Sequence, residues 1–238
     1  MINTTGRTLP IKEAFARHFL RGIDEAYAAT EEMRDWLNRD RATRALLCAD
    51  RMIDDAEKLL NSYQEKNKGQ EKGLHTPLPV ILIAFGRDTQ PASPDRLRPL
   101  PNPEYVQLAE QGETYQWRVD FVEQRVQIAF FAHTAETARA MTSQMRLFFQ
   151  RYGNNRFPVR WQFGGYEFDL TASIQDLPAS DDIADLDGRT NLTVLTWTFT
   201  LDYQIPHITA PTPHELTNSG KIRGFKGVTQ TGVEVKRV

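Results

Sequence analysis

The sequence predicts an α+β fold: a mixed, mostly antiparallel β-sheet backed by helices, with an N-terminal helical segment and an extended C-terminal arm. Three observations carry this prediction. Apolar residues up to Tyr63 recur every three or four positions, the spacing of a helix face. Between Trp117 and Ile205 several runs alternate with a period of two, the spacing of a half-buried strand. One segment between those runs, Thr134 to Tyr152, returns to helical spacing. The organisation read from this is a helical segment over 1–76, an α+β core over 77–206 and an arm over 207–238.

Pro10 can open the first helix, because its missing N–H is not needed there. Ile11, Phe15, Phe19, Ile23 and Tyr27 then form one stripe. Thr30 is placed as an N-cap, followed by Glu31 and Glu32 where the helix dipole favours acids. Met33, Trp36 and Leu37 give the next apolar face. Leu46, Ile53, Ala56, Leu60 and Tyr63 are expected to continue the helical pattern through "RATRALLCADRMIDDAEKLLNSY", before the charged break "QEKNKGQEKG".

From Leu78 the period changes. "LPVILIAF" is a short, continuous apolar run between Pro and Gly, as expected of a strand covered on both faces. "RDTQPASPDRLRPLPNPEY" is dense in proline and reads as a loop. Trp117, Val119 and Phe121 alternate, and so do Val126, Ile128 and Phe130, but on the opposite parity. One regular strand cannot point both sets the same way, so a turn or bulge near "VEQR" is expected.

Thr134 should cap the strongest helix of the chain. Its face is Ala138, Met141, Met145, Phe148 and Tyr152, with Arg146 and Arg151 toward its C-terminal end and Gly153 as a left-handed terminator. "FPVRWQFGGYEFDLTASI" reads as a hairpin turning at Gly164-Gly165. Leu195, Trp197, Phe199, Leu201, Tyr203 and Ile205 form the longest alternation. After Pro206 the core signals stop and the arm is expected to run extended.

Composition fits a soluble globular protein: 40% hydrophobic, 25% charged and a net charge of −2. That balance gives no overall attraction to nucleic acid or anionic membrane. A single cysteine, Cys48, allows no internal disulfide, which suits a reducing compartment. "MINTTGRTLPIKEAF" lacks a signal-peptide core. The longest apolar run is too short to span a bilayer. The expectation is a protein made in the cytoplasm, with no membrane partner.

Motifs for chemistry are sparse. The histidines at 18, 75, 133, 207 and 214 are scattered, with no metal-ligand spacing, and His133 reads as structural. "SDDIADLDGRTN" fails the calcium-loop pattern at both ends, since Ile183 and Val194 fall where acids are required. It reads as a solvated acidic loop. "RGFKGV" superficially resembles the RNA-reading strand of an RNA-recognition module, but lies in a Gly/Pro-rich tail. No phosphate loop, nucleophile elbow or dinucleotide fingerprint is present. The sequence therefore predicts no catalytic, cofactor-binding or metal-binding residue. What remains is a surface: Asp181, Asp182, Asp185 and Asp187 in the acidic loop, and Lys221, Arg223, Lys226, Lys236 and Arg237 in the basic arm, as candidate interface residues.

The succession of a helix, "LPVILIAF", a long loop, "WRVDFVEQRVQIAFFA", "TAETARAMTSQMRLFFQRY", a hairpin and "LTVLTWTFTLDYQIP" resembles the tail terminator or tail-completion proteins of long-tailed bacteriophages. The resemblance spans roughly Leu78 to Pro206, joined by the first helix, and is one of pattern rather than of a diagnostic motif. It implies a mixed sheet backed by helices and a homo-oligomeric ring, of six copies in that family. Such a ring caps the tail tube, stops its growth and offers a docking surface to the head connector or neck. It implies no catalytic residue and no cofactor. The implied partners are other copies, the tube protein, the sheath of a contractile tail and the neck, with phage DNA passing through the ring unread. The implied location is the virion, after assembly in the host cytoplasm. The segment Thr30–Tyr63, the proline-rich loop and the basic arm exceed a minimal terminator and leave room for another neck or baseplate ring protein. An enzyme with a dispersed site and a nucleic-acid-binding α/β module are the readings from other classes.

Overall fold

In the computed structural model of the chain, residues 10–48, 78–92, 104–107, 114–163, 166–183, 192–209 and 235–237 are described. The expectations for Ile53 to Tyr63, the 64–73 break, the Gly164-Gly165 turn and most of the arm lie outside them.

The helices are α1 (Pro10–Asp24), α2 (Glu31–Leu37), α3 (Arg41–Arg44) and α4 (Ala135–Gln150). The strands are β1 (Ala45–Leu47), β2 (Val80–Pro91), β3 (Glu104–Gln107), β4 (Thr114–Ala132), β5 (Arg156–Phe163), β6 (Tyr166–Gln175), β7 (Asp182–Ile183), β8 (Thr193–Thr209) and β9 (Val235–Arg237). They form one sheet in the order β1-β2-β4-β8-β6-β5, with β3 on β4, β7 on β8 and β9 on β6. β1 and β2 are parallel; the other described pairs are antiparallel. The α+β class read from the sequence is the class of the structure.

The main core lies between the sheet and helices α1 and α4. Ile11, Phe15, Phe19 and Ile23 are fully buried along α1. Phe15 meets Phe85 of β2, Phe157 of β5 and Phe199 of β8 at ring-centroid distances of 5.8–5.9 Å. Met33 and Trp36 of α2 join the same cluster. Helices α1 and α2 thus pack in the core of the sheet. Gly22 lets α1 approach α4 closely: a Cβ there would lie 2.8 Å from both Met145 Cε and Phe148 Cδ1.

Thr30 caps α2 as expected, accepting from Met33 N at 3.1 Å. Thr134 caps α4, accepting from Thr137 N at 3.2 Å. Glu32 of α2 reaches that same end, accepting from His133 N at 2.9 Å. An acid therefore sits at the positive end of the α4 dipole.

Several sequence expectations are corrected. Tyr27 lies past the end of α1 and is exposed. Tyr152 is fully exposed, because α4 ends at Gln150 and Gly153 (φ +84°) turns the chain away. Leu46 is not helical: after the single turn of α3, Ala45–Leu47 extend and pair with Ile81–Ile83. β2 continues to Pro91, and β3 (Glu104–Gln107) begins at Glu104, so strands overlap both ends of the stretch read as a loop.

The opposed parities of β4 are resolved without a bulge against β8. β4 and β8 pair without interruption from Gln116/Thr209 to Ala132/Thr193. Val126 and Ile128 therefore face one side of this ribbon, and Trp117 and Ile208 the other. Both sets are buried. The β5–β6 hairpin meets the far end of the ribbon, with Phe168 at 5.1 Å from Trp117 and Phe163 at 5.7 Å from Tyr115. The register shift lies instead in β2, where Gly86, Arg87 and Asp88 oppose Arg125 alone. Gln124 closes that gap by donating to Gly86 O at 2.7 Å, and Tyr203 donates to Gln124 Oε1 at 3.2 Å. Burial pushes the Tyr203 phenol up to about 12, so it remains a donor throughout the physiological range.

On the opposite face, Val80, Leu82, Ala84, Ala129, Phe131 and Val194 form a second buried cluster, with Leu46, Cys48, Leu78 and Leu192 against it. The run "VILIAF" is buried on both parities, as its unbroken hydrophobicity predicts. β8 keeps Leu195, Trp197, Phe199, Leu201 and Tyr203 inward. It runs through Pro206 to Thr209 with Ile208 buried, so the boundary expected at Pro206 falls inside a strand.

Candidate interface

The candidate interface residues separate into different environments. Asp181 is not a free surface acid. Its Oδ1 accepts from Arg146 Nη2 at 2.5 Å and from Trp197 Nε1 at 2.8 Å, and its Oδ2 accepts from Thr142 Oγ1 at 3.0 Å. Arg146 also lies over the Trp197 ring, 5.4 Å from its centroid, and donates from Nε to Pro178 O at 3.3 Å. The Asp181 and Arg146 side chains are only 18% and 20% exposed. A carboxylate between an arginine, a buried indole N–H and a hydroxyl is a clasp that fastens the loop after β6 to α4 and β8. The expectation that Arg146 answers the helix dipole gives way to this role.

Asp182 is exposed and starts β7, whose backbone pairs with β8 at Thr196. Asp185, Asp187, Lys221, Arg223 and Lys226 lie outside the described residues. Lys236 and Arg237 fall in β9, antiparallel to β6, with Lys236 in register with Glu167 and Arg237 with Tyr166. Residues 235–237 of the arm are thus paired with the edge of β6.

Glu167 lies in a charged ladder across the hairpin. Arg160 of β5 contacts Glu167 at 3.3 Å and Asp169 at 3.1 Å, and Gln162 donates to Glu167 at 3.0 Å. These cross-strand pairs orient the hairpin surface more than they stabilise it, because Arg160 is over half exposed.

The sequence reading gave no weight to His18. It lies in an aromatic box, stacked on Phe157 at 5.0 Å and beside Phe148 at 5.3 Å and Phe149 at 5.9 Å. Its Nε2 donates to Asn154 O at 2.7 Å. Burial lowers its pKa below the ordinary histidine value, with Arg21 adding to the effect and the Asn154 bond and Glu25 opposing it. The available signal was its place beside Phe15 and Phe19 on the apolar stripe. Its chemistry there is that of a neutral packing group joining α1, α4 and β5.

Among the described residues, no group of three or more His, Cys, Asp and Glu side chains is gathered where it could hold a metal ion. Among the same residues, no helix is long and apolar enough to cross a membrane. No protein-family model matches the chain, and no curated protein matches it. What the geometry offers here is a short strand, β9, paired to β6 beside a charged cross-strand ladder.

Proposed function

We propose that the chain is a structural virion protein. In this reading copies form a ring, of six by the resemblance, that caps the tail tube of a long-tailed bacteriophage and docks the head connector or neck. The tube protein, the sheath of a contractile tail and other copies are its partners, and its work is assembly rather than catalysis. The observation that supports this reading best is the arm: a C-terminal strand, separated from β8 by residues 210–234, adds to the edge of β6. Strand addition at a sheet edge is a recurrent way of joining chains. A head-to-tail contact of this kind closes into a ring when its rotation permits.

The test is mass measurement and negative-stain microscopy of the purified protein over a range of concentrations, and again with isolated tail tubes. Closed rings of one subunit count, free or at tube ends, support the proposal. Monomers under every condition, with bare tube ends, refute it. Salt-sensitive DNA binding by a monomer would instead favour a nucleic-acid-binding module.

A further inference from the structure

We propose that the β6 edge at Tyr166–Phe168 is an exchange slot, filled in the assembled protein by β9 of a second copy of this chain. The proposal rests on the ring reading for the neighbour that donates the strand. It starts from a fork in the sheet. β5 covers one edge of β6 from Tyr166 to Ser173. On the other edge, β8 pairs with β6 at Ser173–Gln175. Toward Tyr166, β8 follows β4 instead, as far as Thr209. A backbone edge is left at the open end of the fork, and β9 occupies it.

The occupant matches the slot in register and in charge. Lys236 falls opposite Glu167, the acid that Arg160 and Gln162 hold in place. Opposite charges at facing positions of a strand pair favour that register.

The energetics favour exchange once a neighbour is near. A three-residue strand makes only a few ladder hydrogen bonds, each contributing about 1 kcal/mol net. Ordering its backbone costs about 1–2 kcal/mol per residue. Docking on its own chain is thus close to break-even. The same bonds form identically with the β6 of another copy. Residues 210–234 supply 25 residues of chain, whose reach is at most about 80–90 Å. That exceeds the width of a small domain, so an adjacent slot lies within reach. In a closed ring every copy gives one strand and receives one, and each link adds to the others through effective concentration.

The experiment uses full-length chains with Cys48→Ser as background. Facing positions of an antiparallel pair lie within disulfide range. A double variant, Glu167→Cys with Lys236→Cys, checks the slot itself. Mild oxidation should link it, whereas Asp169→Cys with Lys236→Cys, out of register, should link several-fold less. Two single variants, Glu167→Cys and Lys236→Cys, are then mixed before assembly, assembled together and oxidised. A disulfide joining these two positions can form only between chains, and we expect it as the main linked peptide by mass spectrometry. If the double variant links within one chain and the mixture yields no such peptide, exchange is overturned. If the in-register double variant fails to link while circular dichroism shows it folded, the slot is overturned. Subunit counting on the same samples separates the two ideas. Interchain links in closed dimers would keep the exchange and remove the ring, and rings without interchain links would do the reverse.

Discussion

Asp181→Ala is the most informative single substitution, because it separates a surface acid from a clasp. The variant removes the shared acceptor of Arg146, Trp197 and Thr142. The Trp197 side chain is fully buried, so its indole N–H is left without a partner, at a cost of about 1–3 kcal/mol. Arg146 keeps Pro178 O and the indole face and can turn partly to water, so its loss is about 1 kcal/mol. Thr142 keeps its bond to Arg139 O and adds little. The expected total is about 2–4 kcal/mol, equivalent to a fall in Tm of roughly 4–16 °C for a chain of this size. Asp181→Asn keeps one carbonyl oxygen for the indole and should cost about half as much. Urea denaturation of the wild type, both variants, Arg146→Met and the double variant would supply the numbers and the Asp181–Arg146 coupling. If Asp181→Ala costs under about 0.5 kcal/mol while ring formation is lost, the acid serves an interface and the clasp argument is wrong.

Gly22→Ala should destabilise by about 1–2 kcal/mol in the same assay, since the clash with the Phe148 ring outweighs the gain in helix propensity. Met145→Asp should yield no soluble folded protein, because it puts an unpaired charge into the core; an unchanged Tm would show that the helix face is wrong. His18 has a folded pKa below its unfolded value, so the unfolded chain binds the extra proton more readily as pH falls. Its contribution is therefore present above about pH 6.5 and lost as pH drops through the folded pKa; Tm should fall on acidification below that point, and less steeply in His18→Leu. Truncation after Thr209 should leave Tm within a few degrees of the full chain and lower the yield of rings. A truncated chain that unfolds would place the arm in the core, and one that assembles normally would make it dispensable.

Elements whose side chains carry a regular period were legible before the structure. Ile11 to Ile23 on the α1 stripe, Ala138 to Phe148 on the α4 stripe with its Thr134 cap, Phe157, Val159, Trp161, Phe168, Leu170 and Ile174 of the β5–β6 hairpin, and the alternating residues Leu195 to Tyr203 of β8 are buried as their spacing marks. What was missed lacks a local signature. Ala45–Leu47 is a short apolar piece that fits a helix or a strand equally well, and pairing with β2 makes it a strand. Tyr152 continues the helical spacing on paper, but the left-handed Gly153 ends the helix before that spacing can apply. Asp181 looks like one acid in an acidic run, and its burial depends on Arg146, 35 residues earlier in the chain. The opposed parities of β4 were read correctly as a conflict. The remedy differs: the ribbon pairs without a bulge, and a distant hairpin of the same sheet packs on its far end.

The ribbon also sets an arithmetic on how this chain can change length. Its near half turns Val126 and Phe199 to one side and its far half turns Trp117 and Ile208 to the other, along an unbroken register. Adding or removing one residue between the halves of β4 would turn one half inside out. Residues in a strand can be gained or lost silently only in twos. β2 already carries such a change: three residues stand opposite Arg125, a surplus of two, and its side chains keep their facing on either side of the gap. Loops can drift by any number, so length variation among descendants of this fold should come in even steps within the ribbon and in any step outside it.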